Sequence, residues 1–212
     1  MGGTPVFATV QEALDGVDVV IDFTSHDVAK ENALTAIAAG GAVVIGTSGL
    51  TADDFEEIDA AARERGVGAV SAGNFSLTAA MAQAAALLVA PHLPHREVID
   101  YASATKADVP SGTARELAER LGGTPPARAL ADTAGPIEAR GATVGGVQVH
   151  SVRLPSFVVS TEVVFGLPDE RLTIRHDAGG TPAPYVAGTL LAARAVRDRV
   201  GLTRGLDRLL LG

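Results

Sequence analysis

The chain has 212 residues, enough for one large domain or two small ones with a sizeable core. Aromatic residues make up only 4% of it, so that core is built from small aliphatic side chains. A net charge of −8 without a basic run argues against nucleic acid and anionic membranes as partners, and the lack of cysteine excludes disulfides and thiolate metal sites.

In chain order, Val17–Phe23 (VDVVIDF) is a β-branched run closed by Thr24-Ser25 and reads as a buried strand. His26–Ala39 has apolar residues at helical spacing and stops at Gly40-Gly41. Ala42–Ile45 is a second buried strand, closed by Gly46-Thr47-Ser48-Gly49. Thr51 is an N-cap for a helix through Arg65 whose first turn is acidic, as the helix dipole prefers. Gly66–Ser71 is a third strand, ending at Ala72-Gly73-Asn74-Phe75. Strands alternating with helices through short connections specify a parallel sheet.

The pattern then changes. A helix is predicted over Leu77–Ala90, a strand over Glu97–Ala102 and a helix over Gly112–Leu121. Gly122–Gly146, rich in Gly, Pro, Ala and Thr, reads as a long surface loop. Strands follow at Val147–Leu154, Phe157–Phe165 and Arg171–His176, with a hairpin joining Val163–Phe165 to Leu172–Ile174. The last helix is predicted over Pro184–Arg199. The fold class is α/β: a parallel, Rossmann-like half, then an α+β half with a mixed or antiparallel sheet.

Ligands of open parallel sheets bind beyond the carboxyl ends of the strands. Three such ends carry small or polar residues: "DFTS" with Phe23 and Thr24, "GTSG" with Gly46, Thr47 and Ser48, and "AGNFS" with Ala72, Gly73, Asn74 and Phe75. Glycine admits a flat ligand to the backbone, and the hydroxyls and amide supply hydrogen bonds. Plain turns explain each end taken singly; three together point to a nucleotide cofactor. No G-x-G-x-x-G loop precedes the first strand, and Gly2-Gly3 has no strand before it. The parallel half therefore reads as a dinucleotide domain without its first βαβ unit.

The stretch "YASATKADVPSGTA" (101–114) leaves a strand, passes Lys106 and enters a helix through Pro110-Ser111-Gly112-Thr113. The amides of Gly112 and Thr113 and the Thr113 hydroxyl can form an anion site at the helix N-terminus. Lys106 adds a charge or a proton donor. A Ser/Thr helix cap beside a solvated lysine explains the same spacing. Asp108 orients Lys106 or caps the turn, and capping is the simpler reading. Arg153 is read as a carboxylate ligand or a surface ion pair; His150, Arg153 and His176 lie on strand patterns of the second half, where one of them could take a catalytic part, though a strand histidine is more often structural. The five histidines show no metal-ligand spacing.

"KADVPSGTA" resembles the K-x-D-x-P-S-G-T-A signature of the 4-hydroxy-tetrahydrodipicolinate reductase (dihydrodipicolinate reductase) family. "VVIDFTSHD", "VIGTSGLTADDFE", "AGNFS", "VQVHSVRLP", "EVVFG", "LTIRHD" and "GLTRGLDRLL" follow that family in order, across essentially the whole chain. The resemblance implies an NAD(P)H-dependent oxidoreductase of lysine and diaminopimelate biosynthesis that reduces a cyclic unsaturated dicarboxylate. It implies NADH or NADPH as cofactor, a homotetramer in the cytoplasm, and neither a metal nor a membrane partner. It divides the chain into a nucleotide-binding domain at 1–76 plus about 184–212, and a substrate-binding and tetramerisation domain at 77–183.

Carried over by position, Gly46, Thr47, Ser48 and Ala72–Phe75 match cofactor segments, with Gly73 where Ala or Pro is usual. Lys106 matches the proton donor, and Gly112 and Thr113 match the carboxylate-binding pair. Ala102 and Ser103 stand where the family has histidines; Ser103 takes the position of a substrate contact. Two functions follow. One is the family's reductase with Lys106 as proton donor. The alternative is a catalytically impaired or divergent relative, serving as a small-acid-binding or oligomeric module or reducing a different imine or enamine.

Overall fold

The computed structural model describes residues 4–125 and 134–212. Its elements in chain order begin with α1 (Val10–Ala13), β1 (Val19–Asp22), α2 (His26–Ala38), β2 (Ala42–Ile45), α3 (Ala52–Arg65) and β3 (Gly68–Ser71). Next come α4 (Leu77–Val89), β4 (His95–Ala102), α5 (Gly112–Gly122), β5 (Ala142–Val144), β6 (Val147–Arg153), β7 (Val159–Leu167) and β8 (Glu170–Asp177). The chain closes with α6 (Ala183–Ala195), β9 (Gly201–Arg204) and α7 (Asp207–Leu211). Two compact units result: Met1–Ala72 with Ala187–Gly212, and Gly73–Val186.

The first unit holds a four-stranded parallel sheet in the order β1-β2-β3-β9. Every residue of β2 and β3 is buried, which is why these strands read as unbroken apolar runs rather than alternating ones. Ala29, Ala33 and Ile37 of α2 and Ile58 and Ala62 of α3 pack with Val43 and Ile45; the alanines let helix and sheet approach closely. Thr51 starts α3 through a reciprocal capping box with Asp54. β9 was not expected, because 184–212 reads as helical. Its four residues have one apolar side chain, and they become a strand only by pairing with β3, Gly201 opposite Gly68 and Leu202 opposite Ala69. The last helix also ends sooner than predicted, at Ala195, and a 3₁₀ turn over Val196–Asp198 follows.

The second unit holds a five-stranded sheet in the order β5-β6-β4-β7-β8. β4 and β6 are parallel and the other pairs antiparallel. Along β4, Arg96, Val98, Asp100 and Ala102 are buried while the residues between them are half-buried. Val98, Val147, Val163 and Phe165 form a core with Leu117 and Leu121 of α5. The opposite face carries Glu97, Tyr101, Glu162 and Arg175; the Arg175 guanidinium lies 4.8 Å from the Tyr101 ring centre and 3.1 Å from Glu162. The predicted hairpin forms with Val163 opposite Ile174 and Phe165 opposite Leu172. The predicted loop at 122–146 needs correction: Ile137–Arg140 is a 3₁₀ turn and β5 pairs antiparallel with β6. Three strand residues between glycines are too few to show a period. Residues 126–133 of that loop lie outside the described residues.

Candidate active site

In the first unit the strand ends converge on one carboxylate. Asp22 closes β1 and is only 3% exposed. Thr47 donates its hydroxyl to Asp22 Oδ1 at 2.5 Å, Thr24 donates its hydroxyl at 2.9 Å, and Asn32 donates its amide to Oδ2 at 2.8 Å. The Thr24 backbone amide adds a bond at 3.1 Å. Burial pushes the Asp22 carboxyl up, yet these neutral donors together hold it below the usual aspartate range. The hydroxyls of Thr24 and Thr47, expected to face a ligand, are therefore directed at Asp22. Phe23 is exposed and its ring lies on Gly46, where a Cβ would fall 2.0 Å from the ring edge, so any larger residue there would displace the ring. Ser48 is exposed beside them, and Ala72 is buried at the end of β3.

In the second unit, Gly73 and Asn74 are tied to α5. The Gly73 amide donates to Glu116 Oε2, and the Thr113 hydroxyl donates to the Gly73 carbonyl at 3.0 Å. Asn74 donates to the Thr113 hydroxyl at 3.2 Å and accepts the Ser76 amide at 2.8 Å. Gln83 donates to the other Glu116 oxygen at 2.7 Å. A Cβ at position 73 would meet the Gly112 carbonyl oxygen at 2.5 Å, which is why glycine stands there. Thr113 thus spends its hydroxyl on the Gly73–Asn74 segment. Phe75 is buried at 2% exposure.

The Lys106 loop is built around a second carboxylate. Asp100 is completely buried on β4. It accepts the Ser111 amide at 2.9 Å, the Ser111 hydroxyl at 2.6 Å, the Ser151 hydroxyl at 3.1 Å and Arg153 Nη2 at 2.8 Å. Ser111 also caps α5, accepting the Ala114 amide at 3.3 Å. Arg153 Nη2 donates to the Asp108 carbonyl at 2.8 Å as well. It is therefore neither a surface pair nor a free ligand.

Lys106 Nζ lies 2.8 Å from Asp108 Oδ1, so Asp108 orients the lysine while Ser111 is the cap. Burial opposes the Asp108 charge, but Lys106 and the backbone amides of Asp108 and Gly112 hold its carboxyl below the usual range. Ser103 Oγ lies 3.0 Å from Thr105 Oγ1 and accepts the Thr105 amide at 3.3 Å, shaping the turn that begins the loop. Ala102 is fully buried on the helix-facing side of β4, so the side chain there is a packing group.

His150 and His176 lie apart. His150 Nε2 is 2.7 Å from Glu97, which Arg140 also contacts, on the sheet face away from α5. His176 lines a cavity of about 20 Å³, room for about one water, with Thr113, Gln83 and Thr161. Burial pushes the His176 imidazole below the usual histidine range, against the pull of Asp177. Its Nδ1 and the Thr161 hydroxyl are buried without a protein partner. Among the described residues no group of three His, Asp or Glu side chains could hold a metal.

Asp22, Asp100, Glu116 and Ser111 organise these sites although the sequence pattern assigns them no site role, and Arg153, read as a carboxylate ligand or a surface ion pair, is instead the partner of Asp100. The available signal was an acidic residue inside a buried strand run, which must find partners.

Comparison with known proteins also changes family model near residue 73. Residues 1–75 match the family described as Dihydrodipicolinate reductase, N-terminus, and residues 73–210 match Dihydrodipicolinate reductase, C-terminus. The chain is 40% identical to the 4-hydroxy-tetrahydrodipicolinate reductase of Moorella thermoacetica, over 99% of this chain and 81% of that protein. It is 38% identical to the enzyme of the same name from Streptococcus gordonii, over 99% and 84%. Among solved structures it superposes on dipicolinate-bound dihydrodipicolinate reductase from Paenisporosarcina sp. TG-14 with a TM-score of 0.76 and 27% identity, covering 96% of this chain and 78% of that one.

Proposed function

Since this chain belongs to the 4-hydroxy-tetrahydrodipicolinate reductase family of NAD(P)H-dependent oxidoreductases, we propose that Lys106 is its proton donor and that the α5 N-terminus holds a substrate carboxylate. The substrate is a cyclic unsaturated dicarboxylate of the lysine pathway. The observation that carries this reading is the loop itself: the Lys106 ammonium and the Gly112-Thr113 amides belong to one segment braced on a single buried carboxylate.

The carboxyl ends of the parallel strands support a nicotinamide dinucleotide as their ligand. Phe23, Thr24, Gly46, Thr47, Ser48 and Ala72 edge three parallel strand ends, and Gly73, Asn74 and Phe75 continue the third. When bound, the cofactor supplies a hydride. With that hydride supplied to one atom of the substrate double bond, Lys106 would supply the proton to the other, its ammonium becoming an amine. Fixed amides and a fixed cation favour the charge that develops, because they need no reorganisation during the step. Asp108 keeps the ammonium in place before transfer. Ser103 contributes a hydroxyl where the loop begins.

The test is turnover of reduced nicotinamide with the dihydrodipicolinate precursor. Lys106→Met is expected to lower kcat on the order of 10²–10⁴-fold. Turnover at wild-type rate in that variant removes Lys106 from the chemistry. Buried Ala102 and hydroxylic Ser103 favour a second reading, a related imine or enamine as preferred substrate. A higher kcat/KM for such a compound than for the precursor would select it.

The half-buried face of the second sheet, with Tyr101, Glu162 and Arg175, supports assembly into a tetramer through that sheet. No helix among the described residues is long and apolar enough to cross a membrane, and a cytoplasmic location fits the proposed pathway.

A further inference from the structure

The loop that carries Lys106 has two working parts, a cation and a helix N-terminus, eight residues of chain apart at most. Neither would stay in register by itself. The connecting residues Ala107 and Val109 are exposed and contribute little packing. Asp108 meets both Lys106 and the Gly112 amide, and the pair formed by buried Asp100 and half-buried Arg153 holds the residues on either side of it. Asp100 grips the helix end, accepting both the amide and the hydroxyl of Ser111, the residue that caps α5 immediately before Gly112. Arg153 grips the other end, donating to the Asp108 carbonyl with the same Nη2 that meets Asp100. Asp108 in turn holds Lys106. Ser151 steadies the carboxylate from β6, and Arg153 Nη1 is fixed on the Val152 carbonyl at 3.1 Å.

The geometry points to Asp100 and Arg153 as positioning residues. Their ion pair sets the spacing between the Lys106 ammonium and the Gly112-Thr113 amides, and thereby the separation of charges that a dicarboxylate must match. A buried carboxylate with four donors and 0% exposure is a rigid reference point, because moving it leaves a charge unpaired. Arginine suits the other role because its planar guanidinium fixes the donor directions: Nη2 meets both Asp100 and the Asp108 carbonyl while Nη1 is held on the Val152 carbonyl. This inference rests on the reading of Lys106 and α5 as the dicarboxylate site.

The experiment measures dipicolinate binding by calorimetry to the full chain with NADH present. Four proteins are compared: wild type, Arg153→Lys, Lys106→Met and the double variant. Arg153→Lys keeps the charge beside Asp100 but loses the planar guanidinium, anchored through Nη1, that fixes the contact with Asp108. It is expected to weaken dipicolinate about tenfold in the Lys106 chain and about threefold or less in the Lys106→Met chain, because part of its effect runs through Lys106. An equal loss in both backgrounds, or none in either, overturns the inference while leaving the dicarboxylate site intact. Absence of dipicolinate binding to folded wild type overturns the site reading and this inference together. Should Arg153→Lys fail to fold, Ser111→Ala tests the other grip: it leaves the ion pair in place and is expected to weaken dipicolinate severalfold. Unchanged affinity in Ser111→Ala overturns the inference by that route.

Discussion

Two buried carboxylates, one in each unit, occupy comparable places and are satisfied differently. Asp22 ends β1 and Asp100 lies two residues before the end of β4, at 3% and 0% exposure. Asp22 collects donors from the turns after β1 and β2 and from α2, and Asp100 from the turn into α5 and from β6. Asp22 is met only by neutral groups, from Thr24, Asn32 and Thr47. Asp100 is met by a cation as well as by an amide and two hydroxyls. The first arrangement keeps a net negative charge among the strand ends and can lose donors one at a time. The second cancels its charge and fails as a unit, which suits a frame rather than an adjustable shell.

The most severe break in this comparison is Arg153→Met. It leaves Asp100 charged, buried and unpaired, and is expected to cost about 3–5 kcal/mol of stability in urea unfolding. A loss under about 1 kcal/mol would mean that Asp100 is as tolerant as Asp22. Asp22→Asn is the matched change in the first unit. It keeps one acceptor oxygen, strands no cation and is expected to cost about 1–2 kcal/mol.

The pH behaviour of Asp22→Asn sharpens the same contrast. The folded Asp22 carboxyl is held below its ordinary value of 3.8, so its contribution is present above that pH and is lost as pH falls through the folded value. The variant should be flatter than wild type in that acid window alone. A difference between them at neutral pH that grows with alkalinity contradicts the assignment.

The contrast also separates what could be read from the sequence. β2 and α3 were legible because each carries its own signal: an unbroken apolar run, and a Thr-x-x-Asp cap before an acidic turn. β9 was not, because Gly-Leu-Thr-Arg has no strand period of its own and gains its identity from β3. The site divides in the same way. Lys106, Gly112 and Thr113 were visible in one contiguous motif. Asp100, Ser151 and Arg153 were not visible as a group, because the parallel pairing of β4 with β6 brings together residues about fifty positions apart. Thr113 shows the limit from the other side: its hydroxyl, read locally as an anion donor, is taken by the Gly73 carbonyl forty positions away.

The smallest effect concerns where each unit responds to pH. The donors to Asp22, from Thr24, Asn32 and Thr47, do not titrate, whereas the second unit holds His176 beside Thr113. Burial lowers the His176 imidazole below 6.5, and Asp177 only partly opposes it. The neutral ring is therefore the form the fold prefers. Its contribution is complete above the unfolded value of 6.5 and declines as pH falls toward the folded one, since the unfolded chain binds the proton first. His176→Gln keeps polar atoms facing the Ser76 hydroxyl, 3.4 Å from Nε2, but removes the titration. Wild type should lose stability between neutral pH and mild acid faster than the variant, by less than either change at Arg153 or Asp22. Parallel stability curves across that window would place the near-neutral response elsewhere and reduce the contrast between the units to their two carboxylates.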